Sequence, residues 1–159
     1  MARLKTHALE REQWLPATVE RVFAFFADAA NLQAITPPWL GFRMRTALPV
    51  AMGRDARIDY TIRLGPMPMR WRTRITVWEP GTRFVDVQER GPYSLWEHTH
   101  EFTAVGNGVL MRDVVHYALP FGPLGTAVHA SVVRALLARI FDFRFERVSA
   151  LFAHGEEAR

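Results

Sequence analysis

The chain has 159 residues, 49% hydrophobic and 12% aromatic, the size and composition of one folded domain (1–159) with an aromatic interior. It has no cysteine, which excludes a disulfide framework and any thiolate nucleophile or metal site. Its net charge of +4 comes from basic residues that are all arginine except Lys5; they are scattered and accompanied by no nucleic-acid reader motif, so no nucleic-acid binding is expected.

The start, MARLKTHALEREQWLP, lacks the apolar run of a secretion signal, and no apolar segment reaches the roughly 18 residues that span a bilayer. A cytoplasmic protein without membrane insertion is expected. Thr6 to Leu15 alternates loosely and reads as a strand ended by Pro16. Thr18 then caps a short helix whose Val19, Val22, Phe23, Phe26 and Ala27 recur at helical spacing, with Glu20 in the first turn. A second short helix, about 29–35, is stopped by Thr36-Pro37-Pro38.

Six extended segments follow, at about 41–48, 56–65, 68–79, 82–90, 93–104 and 108–119, with Gly, Pro and Asn marking their boundaries. Such short connections make hairpins, so the sheet is an antiparallel meander. Beyond Pro120-Phe121-Gly122-Pro123, residues 124–153 read as a long amphipathic helix carrying Leu124, Val128, Val132, Leu136, Ile140, Phe141, Phe143, Val148, Leu151 and Phe152. Phe141, Phe145 and Phe152 do not share one stripe, which leaves room for a second apolar face; a monomer or a homodimer is expected. The tail HGEEAR is expected to fray.

This order predicts an α+β helix-grip fold: a curved seven-stranded antiparallel sheet, two short helices after the first strand, and a long C-terminal helix over the concave face. It resembles the START, pollen-allergen and polyketide-cyclase superfamily (SRPBCC). The stretches that carry the resemblance are Leu15 to Phe42, Ile58 to Tyr60, Met69 to Ile75, Phe84 to Phe102 and Met111 to Gly125. They look most like a bacterial ligand-binding branch of unassigned function, also seen fused to or near nucleotide-sugar epimerase-like domains. The superfamily includes lipid carriers, hormone receptors, chaperone activators, ring-hydroxylase subunits and cyclases, so the resemblance implies a fold and a cavity without choosing a function.

Parity assigns the faces of the strands. The concave side receives Ile58, Tyr60, Ile62 and Leu64; Met69, Trp71, Thr73, Ile75 and Val77; Trp96, His98, His100 and Phe102; and Met111, Asp113, Val115 and Tyr117. Arg70, Arg72, Arg74 and His116 face water, and His7, His129 and His154 read as surface residues. The segment 82–90 fits two registers, one turning Phe84, Asp86 and Gln88 inward and the other Val85 and Val87; the first is preferred because it gathers Gln88, His98, His100 and Asp113 into one polar cluster. Buried without partners, such groups cost roughly 2 kcal/mol each, so the cluster must be mutually bonded, hydrated or completed by a ligand.

The leading expectation is therefore a hydrophobic or aromatic small molecule, lipid- or polyketide-like, enclosed between sheet and helix. Trp39 at the cavity mouth and Tyr60, Trp71, Trp96, Tyr117 and Ile140 in the wall are its contacts, with Gln88, His98, His100 and Asp113 orienting one polar group. No cofactor is expected. Two rivals remain: a cyclase or dehydratase using His98, His100 and Asp113, and a protein-interaction module of chaperone-activator type, whose cavity is filled by side chains. Buried His and Asp can also simply hold strands in register. A metal needs a third ligand, Asp113 or Asp86, beside the two histidines; no metal site is assigned.

Overall fold

A computed structural model describes the backbone of residues 4–153 and their side chains except at 124–126, 128 and 129. The expectations for Leu124, Val128, His129, His154 and the tail lie outside the described residues. Strand β1 (Thr6–Leu15) leads into helix α1 (Val19–Phe26), two 3₁₀ segments (Ala29–Ile35 and Pro38–Leu40), strands β2 (Arg43–Met44), β3 (Arg57–Leu64), β4 (Met67–Glu79), β5 (Arg83–Arg90), β6 (Leu95–Val105) and β7 (Gly108–Ala118), and helix α2 (Gly122–Ala153). The strands form one antiparallel sheet in the order β1-β7-β6-β5-β4-β3-β2. This is the helix-grip arrangement, with β2 to β7 as a meander and β1 returning beside β7.

Local chemistry explains the elements. The Thr18 side chain accepts from the Arg21 amide at the start of α1, and Asp28 does the same for Ala30 at the first 3₁₀ segment. Gly41 ends the second with φ +55°, a left-handed conformation that favours glycine. The expected strand 41–48 shrinks to two residues: beyond Met44 the chain bends, and the amides of Arg45 and Thr46 both converge on the Asp59 carbonyl instead of continuing the ladder.

A bulge also changes one face assignment. Ile75 stands opposite Asp86 but Val77 opposite Val85, so the register shifts at Thr76 and parity reverses beyond it. Val77 therefore points outward, and Trp78 turns inward, where its ring meets Phe23 at 5.3 Å and Phe84 at 5.6 Å.

Two apolar bodies fill the space under the sheet. One gathers Val22 and Phe23 of α1, Ile75, Phe84, Phe102 and Met111 of the strands, and Val148 and Phe152 of α2. The other joins Phe42, Ile62, Trp71, Trp96, Val115 and Tyr117 to Leu137 and Phe141. The inner stripe of α2 runs Val133, Leu137, Phe141, Arg144, Val148 and Phe152, at steps of three or four residues. Val132 and Leu151, expected on that stripe, are instead exposed, as is Phe145.

Polar contacts fix the helix to the edge of the sheet. Gln13 Nε2 donates to the Phe145 carbonyl at 2.8 Å and to Ser149 Oγ at 2.6 Å, and Arg147 Nε donates to the Ala34 carbonyl at 3.1 Å. At the β6–β7 turn Trp14 lies over Gly108 and donates to the Val105 carbonyl at 3.0 Å. A Cβ on Gly108 would stand 2.4 Å from the Leu15 carbonyl oxygen. Gly108→Ala is expected to cost about 1–3 kcal/mol in denaturant unfolding; an unchanged midpoint would show that β1 does not pack this tightly on β7.

Candidate functional site

A cavity of about 330 Å³ lies between the concave face and α2. Its wall is mainly apolar: Phe25, Phe26, Leu32 and Ile35 from the α1 region, Ile58, Tyr60, Ile62 and Trp71 from β3 and β4, Trp96 from β6, and Leu136, Leu137, Ile140 and Phe141 from α2. Tyr60 stacks on Trp71 with ring centres 5.9 Å apart, and Trp71 meets Trp96 edge-on at 5.3 Å. Between the two apolar bodies the wall turns polar, at Asp86, His98, His100 and Arg144.

Strand register creates this polar spot. His98 and His100 lie on β6, with Asp86 opposite His98 on β5 and Asp113 opposite His100 on β7. Each imidazole bonds to the diagonal carboxylate: His98 Nε2 to Asp113 Oδ1 at 2.7 Å, and His100 Nε2 to Asp86 Oδ2 at 2.8 Å. The remaining nitrogens look toward the other acid, His100 Nδ1 at 3.2 Å from Asp113 Oδ1 and His98 Nδ1 at 3.9 Å from Asp86 Oδ2. The first is short, but its geometry does not make a hydrogen bond, so among the described residues this buried nitrogen has no hydrogen-bond partner.

The rings lie 3.7 Å apart; Phe84 stacks on His100 at 4.1 Å, and Phe141 meets His98 edge-on at 5.6 Å. All four groups are largely removed from water. Burial opposes charge on each, yet the histidine hydrogen bonds hold both Asp113 and Asp86 below the usual carboxylate range. For His98, burial and then the neighbouring His100 charge lower the pKa. For His100, burial also lowers it, but the two carboxylates facing its nitrogens, Asp113 and Asp86, outweigh this and raise it. The two rings are thus driven apart in proton affinity.

The expected site residues fall into three groups. Tyr60, Trp71, Trp96, His98, His100 and Ile140 line the cavity. Asp113 and Tyr117 are buried behind it: Asp113 supports the histidines from the far side, and Tyr117 stacks on His7 at 5.3 Å. His7 is therefore half-buried, where a surface position was expected, because β1 turns it inward. Gln88 and Trp39 lie elsewhere. Gln88 folds back to donate from Nε2 to the Tyr93 carbonyl and to accept from the Tyr93 amide, bracing the turn at Gly91. Asp86 takes the place in the cluster expected of Gln88, since it stands directly opposite His98 on β5, two residues nearer the histidines. Trp39 is exposed beneath the Arg139 guanidinium, 4.9 Å from its ring centre.

Arg144 is the residue that sequence reasoning missed. Its signal was present, since 137, 141, 144, 148 and 152 are inner-stripe spacings. Its guanidinium covers the Phe141 ring at 5.2 Å, and among the described residues its buried Nε has no hydrogen-bond partner. Trp71 Nε1, on the opposite wall, is likewise buried with no hydrogen-bond partner among the described residues.

The geometry defines a class first: a helix-grip protein with a mostly apolar cavity and a buried imidazole–carboxylate cluster in its wall. The sequence model of the polyketide cyclase/dehydrase and lipid transport family matches residues 6–153, and the chain belongs to that family, within the SRPBCC superfamily. Among proteins of curated function none matches the sequence. Similar solved structures include the ZhuI aromatase/cyclase of Streptomyces sp. R1128, with TM-score 0.74, 10% identity and 94% of each chain covered. Norcoclaurine synthase of Thalictrum flavum, in complex with dopamine and hydroxybenzaldehyde, superposes with TM-score 0.70 at 11% identity, covering 98% of this chain and 91% of that one. TTHA0849 of Thermus thermophilus gives TM-score 0.65 at 20% identity, over 91% and 99%. At these identities the likeness is one of fold.

Removing Asp113 strands the His98 Nε2–H in an apolar interior and takes away the charge that faces His100 Nδ1. Asp113→Ala is expected to destabilise the protein by about 3 kcal/mol in chemical denaturation, whereas His116→Ala, on the water face of the same strand, leaves stability unchanged. Equal effects of the two would mean that the cluster contributes nothing to the fold.

Proposed function

We propose that the protein binds a hydrophobic or aromatic small molecule, lipid- or polyketide-like, in the cavity between sheet and α2. The observation that carries this reading is the composition of the wall: aromatic and aliphatic surface interrupted by buried polar atoms, Trp71 Nε1 and Arg144 Nε, that have no hydrogen-bond partner among the described residues. An unpaired buried donor costs about 1–3 kcal/mol, so a ligand oxygen placed there recovers energy that the empty protein forgoes. The volume, about 330 Å³, lies at the small end of ligand pockets. Family membership supports the same reading. A chaperone-activator role calls for a cavity filled by side chains, unlike the space found here.

A second reading, catalysis of cyclase or dehydratase type, has one observation in its favour. His98 Nε2 is fixed by Asp113, while among the described residues Nδ1 has no hydrogen-bond partner and the ring lines the cavity. An imidazole so oriented is placed to accept a proton from carbon beside a ketone, with Asp113 supporting the ring as charge develops.

Native mass spectrometry of freshly purified protein is expected to show a co-purified small molecule, and tryptophan fluorescence to respond to fatty acids or naphthols. Ile140→Trp, which fills the cavity, is expected to weaken that response at least tenfold, about 1.4 kcal/mol. No retained mass and no response to either class would refute the binding reading. For the catalytic reading, solvent-deuterium exchange beside the ketone of bound 2-acetylnaphthalene is expected in the wild type and lost in His98→Phe with binding retained; absence of exchange in the wild type removes it.

A further inference from the structure

We propose that Asp86, His98 and His100 form a binding site for one divalent first-row transition-metal ion, with Zn²⁺ as the reference ion and Asp113 as its outer support. The three residues each offer one ligand atom, and these atoms all lie within 4.8 Å of one another. Two nitrogens and one carboxylate oxygen are a donor set suited to zinc or ferrous iron, and a three-ligand set leaves a position for water or substrate.

The division of the nitrogens is the more specific observation. Each imidazole has one nitrogen near Asp113, His98 Nε2 at 2.7 Å and His100 Nδ1 at 3.2 Å. Each has its other nitrogen near Asp86 Oδ2, His98 Nδ1 at 3.9 Å and His100 Nε2 at 2.8 Å. Asp113 therefore faces one edge of both rings and Asp86 the other. Ligating histidines are characteristically held this way, with a carboxylate accepting the proton of the non-ligating nitrogen. The 3.9 Å separation is too long for a hydrogen bond, but it suits two donors to a common ion, each about 2.0–2.2 Å from it.

Burial and placement agree. Asp86, His98 and His100 line the cavity, whereas Asp113 lies behind them, so the open coordination position faces the space available to a small molecule. With neutral rings the cluster carries two buried negative charges, which a divalent ion balances. Ligation through His100 Nε2 also leaves its proton on Nδ1, the nitrogen now without a partner beside Asp113. The open position takes water or an oxygen donor of the ligand, a carbonyl or an enolate, in the role of Lewis-acid contact. Binding of the ion itself requires no organic molecule, so it stands or falls separately from the cavity's occupancy.

The test uses the full chain, stripped with chelator and titrated with Zn²⁺ by calorimetry and with Co²⁺ by visible absorption. One equivalent is expected to bind, with a Co²⁺ spectrum of low-coordinate nitrogen and oxygen ligation. Asp86→Asn and His98→Phe are expected to abolish that spectrum, and Asp113→Asn to weaken Zn²⁺ binding about tenfold. His116→Ala should change nothing. Should the cluster variants fail to fold, wild-type NMR decides: Zn²⁺ must shift the imidazole nitrogens of His98 and His100 and leave those of His7 and His116 in place. No saturable binding, or shifts confined to the other histidines, overturns the proposal and leaves a hydrogen-bonded network alone.

Discussion

Four titratable groups on three neighbouring strands hold the interior of this protein in one arrangement. Each of His98 and His100 bonds to the carboxylate diagonally across from it, so β5, β6 and β7 are cross-braced by two short polar contacts inside an otherwise oily space. In low dielectric such contacts are strong when complete and costly when broken. A slip of one residue in β5 or β7 would turn a carboxylate out and could bring a valine in, and in β6 it would replace the histidines by Glu97, Thr99 or Glu101. The network thus fixes strand register, and register fixes what lines the cavity.

The cavity follows from how the helix is attached. Helix α2 is anchored at its C-terminal half by Val148 and Phe152 in one apolar body and by Gln13 and Arg147 through hydrogen bonds to backbone. Its earlier turns meet the sheet through Leu137 and Phe141. Between these supports the large rings of Tyr60, Trp71 and Trp96 pack against one another instead of reaching across. Aromatic side chains that satisfy each other in this way leave the central volume open. The polar cluster forms one boundary of it.

Much of the fold was legible from turn chemistry and alternation. Gly-Pro and Gly-Asn-Gly boundaries separate the strands, Thr18 marks the start of α1, and period two places Trp96, His98, His100 and Phe102 on one face. Alternation failed at the bulge beside Thr76, where one extra residue exchanged Val77 for Trp78, because a bulge depends on the partner strand and leaves no trace in local pattern. It also misjudged Gln88: parity gave the side, but a flexible side chain folds to the nearest unpaired backbone groups, here those of Tyr93. Arg144 was visible as a spacing and overlooked as a function.

The sequence by itself determined the element order, the antiparallel meander and the set of inward-facing strand residues, since these rest on local dihedral preferences and a two-residue repeat. Tertiary structure decided which inward residues meet. It paired each histidine with a particular carboxylate, put Asp113 and Tyr117 behind the cavity wall, left Trp39 outside, and brought Arg144 over Phe141. Those outcomes depend on the relative position of strands and helix. That position is set by packing and register over the whole sheet, at separations such as the 131 residues between Arg11 and Asp142, which no local pattern encodes.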